Sequence, residues 1–217
     1  MQASDFFQSP EVISLAEAVA QGNAEQIHWL AQTGVDVNTV GKEGMTPLFW
    51  ALATQSKIGL SALLQVGANP NYVEPKGYSA VLLAAGAEYP EYLRILLKAG
   101  GNPNVRDRHN TPALVIAVQQ MVWDNVRVLL EYGADINIKD RMHHTAILQA
   151  AILNQFEQVA FFLEQGADFT IADKPGETVA NLVQTRKLTP QSSHWQWQQK
   201  VRQMLEHRGV VFSEAPS

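Results

Sequence analysis

Histidine is the residue type most able to support chemistry in this chain, because the sequence contains six histidines and no cysteine. Without cysteine the chain has no thiolate nucleophile and no cysteine-ligated metal or cluster site. His109, His143 and His144 occupy similar places in consecutive stretches of sequence, so a shared metal ion is one chemistry that they would allow. Adjacent side chains such as those of His143 and His144 diverge, however, and no carboxylate has the spacing to complete a site. We predict structural or surface roles for these histidines, and a metal- or small-ligand-binding protein that uses them remains the alternative hypothesis.

The acidic residues do not suggest catalysis. Asp107, Asp140 and Asp173 follow one another at a constant interval along the chain, whereas general acid–base catalysis needs two groups that converge on one cleft. Residues spaced in this way are more typical of turns. The sequence also contains no phosphate-binding glycine loop, no zinc-binding helix motif, no calcium loop and no nucleophile elbow. We therefore predict a protein that is not an enzyme and that uses no cofactor.

The interval that separates these aspartates also separates glycines, alanines and leucines over most of the chain. Self-similarity with a period of about 33 residues predicts a repeat architecture rather than one central core. The clearest columns are Gly34, Gly67, Gly100, Gly133 and Gly166; Ala18, Ala51, Ala84, Ala117 and Ala150; and Leu30, Leu63, Leu96, Leu129 and Phe162.

The columns also predict the elements of each repeat. An aliphatic pair three residues apart, such as Leu93 and Leu96, marks one face of a helix. The glycine that follows this helix suits a left-handed C-cap. Thr46-Pro47 fits the start of a second, shorter helix, which precedes the aliphatic one in each repeat. Each repeat should therefore contain a turn, a short helix, a longer helix and a second turn.

These residues resemble the ankyrin repeat family. The resemblance rests on Thr46-Pro47-Leu48-Phe49-Trp50-Ala51, Leu96-Leu97-Lys98-Ala99-Gly100 and Gly133-Ala134-Asp135-Ile136-Asn137, and it covers roughly residues 12–183. It implies an all-α fold with short β-hairpin fingers, an α-solenoid of about six stacked repeats that include N- and C-terminal caps. We predict a single domain over residues 1–217, with units at 10–38 (N-cap), 39–71, 72–104, 105–137, 138–170 and 171–213 (C-cap with an insertion).

The sequence departs from the family pattern at several turns. The family's finger-turn glycine is present as Gly44, Gly77 and Gly176, but Asn110 and His143 replace it in two fingers. Both residue types are enriched at positive φ, so these turns should survive. Thr111-Pro112 comes one residue early, which predicts a reshaped finger. The glycine between the two helices survives only as Gly22, and individually shaped turns are expected where other residues replace it, namely Gln55, Glu88, Met121 and Asn154.

The C-terminal end is predicted to be a cap. Ten extra residues lie around Arg186–His194, and a longer helix is predicted over Ser193–His207. Trp197, Val201, Met204 and Leu205 share one stripe of that helix. A polar outer face is expected from Gln196, Gln198, Gln199, Lys200 and Arg202. Residues 213–217 are expected to fray.

Two sets of side chains predict where a partner binds. Basic residues in successive fingers would form a line with a spacing of very roughly 10 Å, which would guide a partner that has an acidic surface; well-solvated finger charges are the alternative. Aromatic and methionine side chains beside this line fall at groove positions, and such residues are enriched at interface hot spots. The predicted partner-binding residues are Lys42, Met45, Trp50, Lys76, Tyr78, Tyr89, Arg108, His109, Met121, Trp123, Arg141 and His143.

The tryptophans of the sequence divide between candidate binding residues and candidate core residues. Trp50 and Trp123 have an alternative role, which is to fill gaps between neighbouring units. Trp29 and Trp197 lie on apolar helix stripes, and we expect both of them to be core residues.

Charge and hydropathy restrict the class of partner. A net charge of −5 and an isoelectric point near 5.7 argue against nucleic acid. The longest apolar stretches, Val81–Ala87 and Ala113–Val118, are too short to enter and cross a membrane. The N-terminus has no secretory signal, so a cytoplasmic location is expected, with a bacterial periplasmic protein whose leader has been removed as the alternative.

The function predicted is that of a non-catalytic scaffold, monomeric on its own, which binds another protein through its concave groove and fingers. The resemblance extends to small single-chain ankyrin proteins, bacterial ones among them, some of which neutralise or protect a partner. A neutralising, protective or immunity-type role is therefore one form of this binding that the resemblance allows.

Overall fold

The computed structural model describes residues 1–213 and contains twelve α-helices in that range, arranged along the chain as six pairs. Residues 214–217, most of the segment expected to fray, lie outside the described residues. The helices are α1 Pro10–Gln21, α2 Ala24–Gln32, α3 Pro47–Ala53, α4 Lys57–Gln65, α5 Ala80–Ala85, α6 Pro90–Lys98, α7 Ala113–Gln119, α8 Trp123–Glu131, α9 Ala146–Ile152, α10 Phe156–Glu164, α11 Val179–Thr185 and α12 Ser193–Glu206.

The predicted fold class is confirmed: the helix pairs stack into an α-solenoid. The helices α3, α5, α7, α9 and α11 begin at the constant interval found in the sequence, and each packs on the next one along the chain. The alanines of the Ala51 column are buried at these contacts, where a small side chain lets two helix backbones approach closely. β-structure among residues 1–213 is limited to isolated bridges at two fingers, Val73 with Ser79 and Arg106 with Pro112. In the same range no helix is both long enough and apolar enough to cross a bilayer.

Most of the short helices have a hydroxyl side chain as their N-cap. Thr46, Ser79, Thr145 and Thr178 each accept a hydrogen bond from the backbone N–H three residues later, as N-cap residues do. At the start of α7 the same position holds Pro112, which provides no side-chain cap.

The finger before α7 keeps the shape of its neighbours, so the predicted reshaping is wrong. The Asp107 amide donates to the Thr111 carbonyl at 3.0 Å, and the Asn110 amide donates to the Asp107 carbonyl at 2.9 Å. The finger before α9 has the same two hydrogen bonds, at 3.0 and 3.1 Å. Since α7 still begins one full repeat after α5, the early Thr111-Pro112 pair displaces only the capping hydroxyl.

The finger turns behave as predicted, since Asn110 and His143 have φ values of 66° and 68°. The expectation of individually shaped inter-helix turns is wrong at three positions, because Gln55, Met121 and Asn154 keep the positive φ of Gly22. The third inter-helix turn differs, because Glu88 does not have positive φ and α5 ends early, at Ala85.

The buried side chain of Asn125 supports this different turn. Its Nδ2 donates to the carbonyl oxygens of Ala84, Ala85 and Ala87 at 3.0, 3.0 and 2.5 Å. A side chain on α8 therefore adds hydrogen bonds to backbone carbonyls at the end of α5, of which that of Ala84 also accepts one from the Ala87 amide.

The C-terminal helix agrees with the prediction to within one residue at its end, but one of its polar residues does not. Val201 and Leu205 are fully buried on the predicted stripe. Gln198 was expected on the outer face and is buried instead, because its Nε2 donates to the carbonyls of Val183 and Arg186 at 2.9 and 2.8 Å. The side chain thus closes the C-terminal end of α11.

Trp29 is also placed differently from its prediction. Its side chain is 57% exposed on α2, whereas Ile27 and Leu30 are buried. Because successive side chains of a helix point in different directions around its axis, Trp29 points away from the face that these two residues share. Trp197 is half-buried against the core, with the Lys200 ammonium 4.2 Å from the centre of its ring.

Candidate functional site

An open cavity of about 490 Å³ lies between the second and third helix pairs. Four of the predicted partner-binding residues line it: Met45, Lys76, Tyr78 and Tyr89. The prediction missed other lining residues, among them Glu43, Phe49, Leu52, Glu74, Leu83 and Tyr92. We call this space the groove cavity.

The groove cavity lies where a large side chain of the preceding repeat is replaced by a smaller one. Leu83 occupies the same place in the third pair as Trp50 in the second, one full repeat earlier. Trp50 is only 3% exposed, its Nε1 donates to the Ala16 carbonyl at 2.8 Å, and its ring centre is 5.9 Å from that of Phe6. The prediction that Trp50 contacts a partner is therefore wrong, since its indole fills the gap between the first two pairs. Leu83 is smaller and 43% exposed, and it lines the open space.

The finger before α5 forms one wall, and a buried carboxylate fixes its shape. Glu74 accepts hydrogen bonds from the backbone N–H groups of Lys76, at 2.7 Å, and Tyr78, at 2.9 Å. Gly44 of the preceding finger, with φ of +78°, allows close contact with this one, because a Cβ there would lie 2.8 Å from Cδ of Pro75. The backbone beneath Tyr78 is therefore held in place without any ligand.

Two tyrosines form the opposite wall. The Tyr92 hydroxyl donates to the Gln55 carbonyl at 2.6 Å, which links the third pair to the second. The Tyr89 ring packs edge-on against the Tyr92 ring, with centres 6.2 Å apart and an angle of 72° between the planes. Burial raises the pKa of the Tyr92 phenol, and the nearby negative charge of Glu91 and the Tyr89 phenol raise it further.

The charges around the groove cavity are of both signs. Lys76 Nζ lies 3.7 Å from Glu43 Oε2, and both side chains are largely exposed. An ion pair this long and this exposed contributes little to stability, so both groups remain able to interact with a ligand.

Met121 and Trp123 lie in a second cavity, of about 400 Å³. Ala87 lines both cavities, so the two are neighbours along the inter-helix turns. Met121 is exposed and Trp123 is half-buried.

The other five predicted residues lie on the fingers and are not buried: Lys42, Arg108, His109, Arg141 and His143. Lys42 lines a separate cavity beside the N-terminal segment. Arg108 Nε donates to His109 Nε2 at 3.0 Å, within one finger. The structure therefore brings four predicted residues together in one cavity, and it distributes the remainder along the stack.

His144 contradicts one expectation about the histidines. Its Nδ1 lies 3.2 Å from Asp140 Oδ2 and its Nε2 lies 3.6 Å from Asp173 Oδ2, so two carboxylates do flank it. The contact with Asp173 could not be predicted from the sequence, because it joins two different fingers. Within residues 1–213, histidines and carboxylates nevertheless form no group of three or more suited to hold a metal ion.

The comparisons with known proteins agree with this architecture. A family model described as ankyrin repeats (3 copies) matches residues 15–107 and 99–173. The crystal structure of EF0377, an ankyrin repeat protein, is similar with a TM-score of 0.72 and 28% sequence identity, over 91% of this chain and 98% of that one. No curated protein matches the chain significantly. The resemblance found in the sequence is thus confirmed, and the chain belongs to the ankyrin repeat family.

Proposed function

We propose that this chain is a non-catalytic scaffold that binds another protein in its concave groove, chiefly at the groove cavity. Ankyrin repeats are in general modules for protein–protein interaction. The observation that carries the proposal is the groove cavity itself, an open space with fixed walls where the preceding repeat has a buried tryptophan.

The exposed side chains in the groove cavity support a protein as the ligand. Tyr78, Leu83 and Tyr89 are 42%, 43% and 48% exposed, and they line the same space. Grouped apolar and aromatic surface of this kind is typical of interaction sites, and tyrosine is enriched among the residues that dominate binding energy. The neighbouring cavity at Met121 and Trp123 would extend the contact along the stack.

The fingers support an acidic region on the same partner. Arg108, Arg141 and Lys174 are exposed, and none of them forms an ion pair within residues 1–213. Unpaired cations of this kind act mainly on the rate of association. A partner held by both the groove and the fingers would have part of its own surface covered, which is how a neutralising or protective role would operate.

The proposal is tested by quantitative affinity capture with the immobilised full chain and mass spectrometry. The double variant Tyr78→Ala/Tyr89→Ala should lose the proteins that the wild type enriches, while its unfolding stays cooperative. Trp29→Ala is the matched control, because it removes a comparably exposed aromatic side chain elsewhere on the stack. If the double variant enriches the same proteins as the wild type, the groove cavity is not the binding site.

A further inference from the structure

We propose that the groove cavity binds a positively charged side chain, lysine or arginine, that projects from a segment of the partner. This inference rests on the proposed function and specifies the chemistry of the ligand. It follows from the shape of the groove cavity, from its charge and from the aromatic rings that form its walls.

The shape suits a long, flexible side chain. The space opens where Leu83 replaces the tryptophan of the preceding repeat, and Met45, Leu52 and Leu83 provide apolar surface within it. Lysine and arginine carry three or four methylene groups that pack on apolar surface while the charged end stays near polar groups. The cavity can therefore contact both parts of such a side chain.

The charge of the groove cavity is complementary to a cation. Its lining contains two carboxylates, Glu43 and Glu74, and one ammonium group, that of Lys76. Glu88 and Glu91 are exposed on the turn and first helical residues next to Tyr89. The Glu91 charge contributes to the raised pKa of the Tyr92 phenol, which indicates that negative charge acts on this wall. An anionic ligand would meet an excess of like charge here.

The aromatic rings give a second reason for a cation. Phe49, Tyr78, Tyr89 and Tyr92 all line the groove cavity, and a cation is attracted to the face of an aromatic ring within about 6 Å of its centre. The Tyr92 hydroxyl is already hydrogen-bonded and its ring packs against Tyr89, so little order has to be gained on binding.

The inference is tested with short capped peptides as probes. Acetyl-Gly-Arg-Gly-amide and acetyl-Gly-Lys-Gly-amide are titrated into the full chain, and the NMR signals of tyrosine rings and leucine methyl groups are followed. The matched peptides carry norleucine, glutamate or tryptophan at the central position. We expect a basic peptide to bind about tenfold more tightly than the norleucine peptide, with the shifts concentrated at Tyr78, Leu83 and Tyr89. Equal or tighter binding of the neutral or tryptophan peptide would overturn the inference, as would the absence of binding by both basic peptides.

Variants locate the binding and test the role of charge. Glu43→Gln should weaken binding of the basic peptide by about threefold and leave the norleucine peptide unaffected; Glu43 is exposed, so the fold should tolerate the change. Glu157→Gln, an exposed carboxylate on α10, is the control and should change neither. Leu83→Trp should fill the groove cavity and abolish binding; if this variant does not fold, Tyr89→Leu replaces it. Unchanged binding by Glu43→Gln and Tyr89→Leu contradicts the inference.

The two proposals fail in different ways. If the basic peptides do not bind but Tyr78→Ala/Tyr89→Ala still loses its captured proteins, the inference about the cation is wrong and the scaffold function stands. If the double variant keeps its captured proteins, the proposed function of the groove cavity is wrong, whether or not the peptides bind.

Discussion

The indole Nε1 of Trp50 donates a hydrogen bond to the carbonyl oxygen of Ala16 across 2.8 Å, and the side chain is buried between the first and second helix pairs. This contact joins residues 34 positions apart in the sequence. It fills the first junction of the stack, whereas Leu83 at the second junction is exposed and lines the groove cavity. One column of the repeat therefore provides a buried structural residue in one unit and an exposed cavity-lining residue in the next.

Trp50→Ala should lower the free energy of unfolding by about 3–5 kcal/mol, because it removes a fully buried aromatic side chain and leaves a cavity. Trp50→Phe should cost less, since most of the apolar contact remains and only the hydrogen bond is lost. Urea denaturation measures both values. Trp29→Ala is the control, and as a surface substitution it should change stability by no more than about 0.5 kcal/mol. Equal effects at Trp29 and Trp50 would contradict the assigned burial.

The start of α7 provides a second prediction about stability. Thr145→Ala should cost about 1 kcal/mol, because the Thr145 hydroxyl accepts a hydrogen bond from the Leu148 amide at the N-cap of α9. Thr111→Ala should cost clearly less, since Pro112 and not Thr111 occupies the N-cap position of α7. Thermal or urea unfolding compares the two variants directly. A Thr111 variant that is as destabilised as the Thr145 variant would show that the finger had been displaced after all.

The repeat period predicted most of the architecture, because local backbone requirements recur with it. The starts of the short helices and the positive φ of Asn110 and His143 both follow from residue type and spacing. Contacts between units could not be predicted in this way. Trp29 and Trp50 both lie on apolar helices, but only Trp50 is buried, because it packs against Phe6 and donates to the Ala16 carbonyl of the preceding unit.

The candidate site was predictable to the same extent. Tyr78 and Tyr89 were found because aromatic side chains are unexpected at groove positions. Leu83 was missed, since an aliphatic residue on a short helix is the ordinary choice for a core. The available signal was the column that it shares with Trp50, where a smaller residue replaces a larger one. The burial of Gln198 had no sequence signal, because its acceptors lie at the end of a different helix.

Asn125→Ala should loosen the inter-helix turn that carries Tyr89. The substitution removes the donor that serves three backbone carbonyls around Ala84–Ala87, and an unsatisfied buried polar group costs about 1–3 kcal/mol. Hydrogen exchange followed by mass spectrometry should show faster exchange at residues 84–89 and unchanged exchange in α2. Asp124→Ala, at the exposed neighbouring position, is the control. Unchanged exchange in the turn of the Asn125 variant would mean that the turn holds its shape without this side chain.

The raised pKa of the Tyr92 phenol leads to a prediction about the stability of the fold at alkaline pH. Burial, followed by the negative charge of Glu91 and the Tyr89 phenol, raises its pKa above the ordinary value of 10.0, and only the protonated hydroxyl can donate to the Gln55 carbonyl. Because the folded-state pKa is higher than that of the unfolded chain, this group contributes stability below pH 10 and loses it as the pH rises through the folded-state pKa. Urea unfolding at pH 7, 9 and above 10 should therefore show an alkaline loss of stability that is smaller in Tyr92→Phe. Tyr78→Phe, which removes an exposed phenol whose hydroxyl makes no such link between the pairs, should keep the full alkaline loss. If the wild type and Tyr92→Phe lose the same stability over this range, the hydrogen bond to Gln55 does not couple the two helix pairs.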